Sequence, residues 1–209
     1  MPGGRIEHGP ASYYSIVLGA IGVIAVGAGV FFYSHIQSQK IKNKTYDPNQ
    51  PLPSEAEIRR TIGEDQYKIV RQNGTETAFR NAYWDEKRPG IYVDVISGQP
   101  LFSSLDKYDA GNGRPTFMKP IDKSRIESSQ DNSFGMNRVE IHAKKSGAHL
   151  GHWFADPTTP TGERYALNSA GLHFIPADSL SQEGYNEFVP LFKGAASASP
   201  SPSASSASH

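Results

Sequence analysis

The longest uninterrupted apolar stretch runs from Ile16 to Tyr33, IVLGAIGVIAVGAGVFFY, and carries no charged side chain. At ~1.5 Å rise per residue, about 18 residues of helix nearly cross a ~30 Å hydrocarbon core. The pattern therefore predicts one N-terminal transmembrane helix over 13–34, behind a polar segment at 1–12. Tyr13 and Tyr14 precede the run and Phe31, Phe32 and Tyr33 close it, placing amphipathic rings at both interfaces. The run is long for the apolar part of a signal peptide and no small-x-small cleavage site follows it, so a retained anchor is expected. Gly22, Ala25 and Gly29 fall on one helix face, where small side chains let a neighbouring helix approach closely in lipid. Lys40, Lys42 and Lys44 follow the helix while Arg5 alone precedes it, and this bias points the rest of the chain to the cytoplasmic side.

After the anchor the pattern shortens. A linker covers 35–61, with the proline-rich stretch DPNQPLPS at 47–54 extended and the segment EAEIRRTIG after Ser54 predicted as a two-turn helix ending at Gly63. Short β-type runs then follow at Tyr67–Arg71, Gly90–Ile96, Val139–Ala143, Gly147–Phe154 and Gly171–Ile175. Turn signals separate them: NG at 73–74, SG at 97–98 and GNGRP at 111–115. A mainly β domain is expected over 62–190, followed at 191–209 by an Ala/Ser/Pro segment that lacks the side chains for a core.

The chain has 209 residues with 21 basic and 21 acidic side chains, so its balance gives no reason to expect nucleic acid as a partner. It contains no cysteine, which excludes disulfides, thiolate metal sites and every cysteine-nucleophile mechanism. Ser169 follows an asparagine and lies in no G-x-S-x-G elbow, so serine hydrolysis is not indicated.

From about Ile62 to Pro176 the chain resembles the methionine sulfoxide reductase B family. The blocks that carry the likeness are YKIVRQNGTE (67–76), YWDEKRPGIYVDVISGQPLFSSLDKYDAG (83–111), GNGRPTF (111–117), GMNRVEI (135–141), HLGHWF (149–154) and GERYALNSAGLHFIP (162–176). The resemblance implies two antiparallel sheets, the β-tent. In that family a thiolate attacks the sulfoxide sulfur and a sulfenic acid forms. The family's nucleophilic cysteine falls here on Ala166, a resolving cysteine on Asn112, and the tryptophan of the substrate-methyl pocket on Arg114. The remaining pocket positions are His149, His152, Arg164 and Asn168. Some members hold a structural zinc in two CxxC pairs; Asp94 and Ser97 stand in the first and no cysteine lies near Gly147, so the chain resembles the zinc-free branch and no metal or cofactor is expected. His149 and His152 by themselves are two nitrogen ligands without a third.

An uncompensated guanidinium in an apolar pocket would cost several kcal/mol of desolvation. Arg114 is therefore expected either to face solvent after loss of catalysis or to bind a carboxylate or phosphate of a partner or lipid through its planar fork. Together these features predict a non-catalytic, single-pass accessory subunit of a membrane complex, with integral membrane proteins and the bilayer as its partners. The alternative is a membrane-anchored binding module whose remnant pocket recognises methionine or its sulfoxide without reducing it.

Overall fold

The structure, a computed structural model, describes residues 46–193. The expected helix at 13–34, its Gly22, Ala25 and Gly29 face, Lys40, Lys42 and Lys44, and the Ala/Ser/Pro segment from 194 onward lie outside the described residues. Among the described residues, no helix is long and apolar enough to cross a membrane.

Two short helices open the domain. Helix α1, Glu55–Ile62, starts as the sequence predicts: Ser54 caps it in a reciprocal box with Glu57, and Gly63 ends it. Helix α2, Glu64–Arg71, replaces the strand expected at Tyr67–Arg71. Five residues of YKIVR alternate well enough to suggest a strand, but Glu64 and Asp65 form an acidic first turn and Lys68 and Arg71 a basic last one. Val70 packs its helical face into the core at 1% exposure.

Among the described residues, nine antiparallel strands follow in two sheets. The small sheet has the order β2-β1-β9, with β1 at Gly90–Asp94, β2 at Pro100–Ser103 and β9 at Leu172–Pro176. The large sheet has the order β3-β4-β8-β7-β6-β5. Its strands are Lys107–Tyr108 (β3), Thr116–Phe117 (β4), Ile126–Asp131 (β5), Arg138–Ala143 (β6), His149–Ala155 (β7) and Glu163–Leu167 (β8). The mainly β, two-sheet architecture expected from the sequence is thus present.

Alternation along β1 explains how the small sheet is held. Tyr92 faces the large sheet, its ring 5.0 Å from Phe117, while Phe102 on β2 stands 4.8 Å from the same ring. Ile91 and Val93 face the other way and are covered by Leu180, Tyr185, Phe188 and Phe192 of the C-terminal segment. Both faces are therefore dry, which is why GIYVD is buried at every position. The polar turn after β1 is closed by Asp94, whose carboxylate accepts from the amides of Ile96 and Ser97 and from the Ser97 hydroxyl. Strand β5, IESSQD, has four exposed positions at an edge and no apolar alternation, so the sequence pattern did not reveal it.

Candidate functional site

Strands β7 and β8 bring the candidate residues together. Ala166 pairs with Thr116 on one side and with His152 on the other. Its methyl group, His152, Asn168, Arg114, Arg138 and Thr75 line a concavity of about 140 Å³. His149 and Arg164 are not on that wall. Arg164 stacks over Phe154 with its guanidinium 4.8 Å from the ring, and it faces Asp156 and Tyr108 in a separate concavity.

Arg114 takes neither of the two courses expected of it. Its Nη1 donates to Asn168 Oδ1 at 3.0 Å and its Nη2 to the Glu76 carbonyl at 2.7 Å. The Asn168 oxygen also accepts from the Glu76 amide at 3.2 Å, and the Asn168 amide group donates to the Gly74 carbonyl at 3.3 Å. The Glu76 carboxylate in turn accepts from the Ser169 amide. Burial pushes the Glu76 carboxyl up from its usual range, against the pull of the Ser169 amide and Arg114. Burial also lowers the Arg114 guanidinium somewhat, against Glu76. The guanidinium is thus compensated by protein groups. Asn112 is spent locally: its Oδ1 accepts from the Arg114 amide at 3.0 Å and its amide donates to Thr116 Oγ1 at 3.1 Å. Gly113 is required in this turn, since it sits at φ +67° and a Cβ there would stand 2.5 Å from the Phe79 nitrogen.

The histidines of HLGH divide between two carboxylates because β7 is irregular. Val139 pairs with Trp153, Glu140 with His152 and Ile141 with Gly151, but His142 pairs with His149. Leu150 is the extra residue, and it turns into the main core at 0% exposure. In a regular strand an i, i+3 pair would point to opposite faces. The bulge instead places His149 and His152 on one face with Glu140 and His142.

On that face His152 Nε2 lies 2.8 Å from Asp131 Oδ2, and Arg138 Nη2 donates to the same oxygen at 2.6 Å. Ser133, His152 and Arg138 hold the Asp131 carboxyl well below the usual carboxylate range. His149 lies deeper, at 1% exposure, with Nδ1 2.8 Å from Glu140 Oε1. Burial pushes its imidazole down to about 4, opposed by Glu140 and reinforced by His142 and His152. Glu140, His142, Asp131 and Arg138 are not among the site residues expected from the sequence. A signal for two of them exists: Glu140-x-His142 is an i, i+2 pair in one strand, facing the next strand's first histidine across a tight turn.

Two antiparallel sheets with the RYALNS strand at the floor of a His- and Asn-lined concavity define a methionine sulfoxide reductase B-like domain. The SelR domain family model matches residues 62–176, more than half of the chain, and the chain belongs to that family. It is also similar to the peptide methionine sulfoxide reductase MsrA/MsrB of Vibrio cholerae serotype O1, being 47% identical over 141 residues. The aligned part is 68% of this chain and spans 37% of the length of that relative.

Proposed function

We propose that the chain is a non-catalytic member of the SelR family that acts as a membrane-anchored accessory subunit. The observation that carries the non-catalytic reading is Ala166 at the nucleophile position of a chain without any cysteine. A methyl group cannot attack sulfur, and no other thiol is present to form or resolve a sulfenic acid. The membrane part of the reading is supported by the uncharged run Ile16–Tyr33 and its small-residue positions.

The geometry favours a structural over a ligand-binding use of the old pocket. Arg114 and Asn168, the groups best suited to a polar ligand, already bond to each other and to the backbone of Gly74 and Glu76. Recognition of a sulfoxide oxygen would require breaking those bonds.

Two measurements test the proposal. The full chain in mild detergent, supplied with dithiothreitol and a methionine sulfoxide peptide, is expected to show no turnover above a protein-free blank; turnover removes the non-catalytic reading. Detergent extraction from the native membrane, size separation and mass spectrometry are expected to show constant stoichiometry with integral membrane proteins. Migration as a lone chain removes the accessory-subunit reading, and saturable binding of the sulfoxide peptide would favour the binding module in its place.

A further inference from the structure

Next to the remnant concavity, and outside it, three side chains converge in the arrangement of a cation site. Glu140 and His142 project from the same face of β6, and the β7 bulge turns His149 onto that face. One ligand atom from each of the three lies within 4.8 Å of the other two. Glu140 Oε1 is 2.8 Å from His149 Nδ1 and 3.4 Å from His142 Nε2. Two donors each about 2.0–2.1 Å from a shared cation stand about 2.9 Å apart at a right angle and about 3.3 Å apart at the tetrahedral angle. Both observed separations therefore match the edges of a coordination polyhedron.

A second observation is independent of those separations. His149 is 1% exposed, yet its Nε2 has no hydrogen-bond partner among the described residues. Its Nδ1 faces Glu140 Oε1 at 2.8 Å. A buried polar group left unpaired costs about 1–3 kcal/mol, so such groups are rare without a ligand or water to complete them. Glu140 is itself 8% exposed, and its ion-pair partners among the described residues are the two histidines, with no lysine or arginine. Its Oε2 lies 3.5 Å from the Ser129 hydroxyl, and its Oε1 faces the imidazoles.

We infer that Glu140, His142 and His149 form a binding site for a divalent first-row transition cation. Two imidazoles and one carboxylate suit zinc, cobalt, nickel or iron rather than calcium or magnesium, which prefer all-oxygen shells. The partly exposed edge of His142 gives the entry path and leaves a position for water. The bound ion ties β6 to β7 across the bulge and gives the buried imidazole a ligand bond through one of its nitrogens.

The test uses the full chain, stripped with a chelator and titrated with Zn²⁺ alone by calorimetry and with Co²⁺ alone by visible absorption. One equivalent of each is expected to bind, the Co²⁺ complex showing the d–d bands of nitrogen ligation, and Zn²⁺ is expected to raise the melting temperature. Glu140→Gln and His142→Gln, each checked by circular dichroism for a native fold, are expected to weaken binding at least ~100-fold. His142 is partly exposed, so its variant keeps the test open should the buried Glu140 variant fail to fold. Absence of saturable binding overturns the inference. Binding that survives within threefold in the folded variants also overturns it, placing the ion on histidines elsewhere such as His8, His35 or His209.

Discussion

A Cβ on Gly151 would stand 2.4 Å from the backbone oxygen of Ala166 on the adjacent strand. Gly151 also sits at φ +147°, a conformation that L side chains rarely adopt. The residue that lets β7 bulge is thus the one that lets β7 lie against the Ala166 strand. Gly151→Ala is expected to destabilise the domain by about 2 kcal/mol or more, combining strain with a backbone clash. Gly162→Ala provides the comparison: φ there is +72° but nothing lies within 4 Å of the added carbon, so a loss of about 1 kcal/mol is expected. Equal losses in urea unfolding would show that the close approach to Ala166 carries no weight.

Arg71 fastens α2 to the turn between β6 and β7. Its Nη1 donates to the Ser146 carbonyl at 2.7 Å and its Nη2 meets Glu55 at 3.0 Å, with the side chain 16% exposed. Removing it leaves the carbonyl of the buried Ser146 unpaired, so Arg71→Ala is expected to cost about 1–3 kcal/mol. Arg71→Lys should recover only part of this, because an ammonium cannot span both acceptors as the planar fork does. The urea midpoint at constant m-value is the readout, and full recovery by lysine would count against the two-acceptor geometry.

Asp131 gives the fold an acid-sensitive contact. Its carboxyl is depressed in the folded state by Ser133, His152 and Arg138. A depressed carboxylate contributes stability above its unfolded value of about 4, and loses that contribution as pH falls below it. Asp131→Asn should therefore be less stable than the parent at neutral pH. The gap should narrow steadily as the pH is lowered from about 4 toward 2. Melting temperatures of the pair across that range decide it; a gap independent of pH would mean that the ionised form makes no special contact.

What the sequence disclosed, and what it hid, follows from how local each signal is. Helix α1 was legible because Ser54, Glu57 and Gly63 are capping signals complete within ten residues. Strands β1, β6, β7 and β9 were legible because burial forces apolar side chains onto them. Strand β8 was not, since ERYAL owes its place to pairing with β7 and β4 rather than to any pattern of its own. The site divides in the same way. Ala166, Asn112 and Arg114 could be placed by resemblance to family blocks. The turning of Arg114 onto Asn168 and the Glu76 carbonyl depends on residues 54 and 38 positions away, and no local rule reports it. The convergence of His149 on Glu140 depends on a single extra residue in β7, which reverses the parity that the spacing of HLGH suggests.

Ala166→Cys places a thiol in the wall of the concavity that Arg114 also lines. A neighbouring guanidinium favours the thiolate, so this cysteine is expected to be alkylated by iodoacetamide at least ~10-fold faster than a free thiol at neutral pH. Sulfoxide turnover with dithiothreitol should nevertheless stay near the blank. By the resemblance Arg114 stands at the position of the substrate-methyl wall, and it is already bonded to Asn168 and the Glu76 carbonyl. The double variant with Arg114→Trp removes that group and restores an apolar wall, and its turnover should exceed the single variant's by at least ~10-fold, or more than about 1.4 kcal/mol in the barrier. The two readouts separate nucleophile chemistry from pocket shape. Fast alkylation with slow turnover in the single variant assigns the block to Arg114. Equal turnover in the single and double variants would mean that Arg114 does not obstruct the pocket.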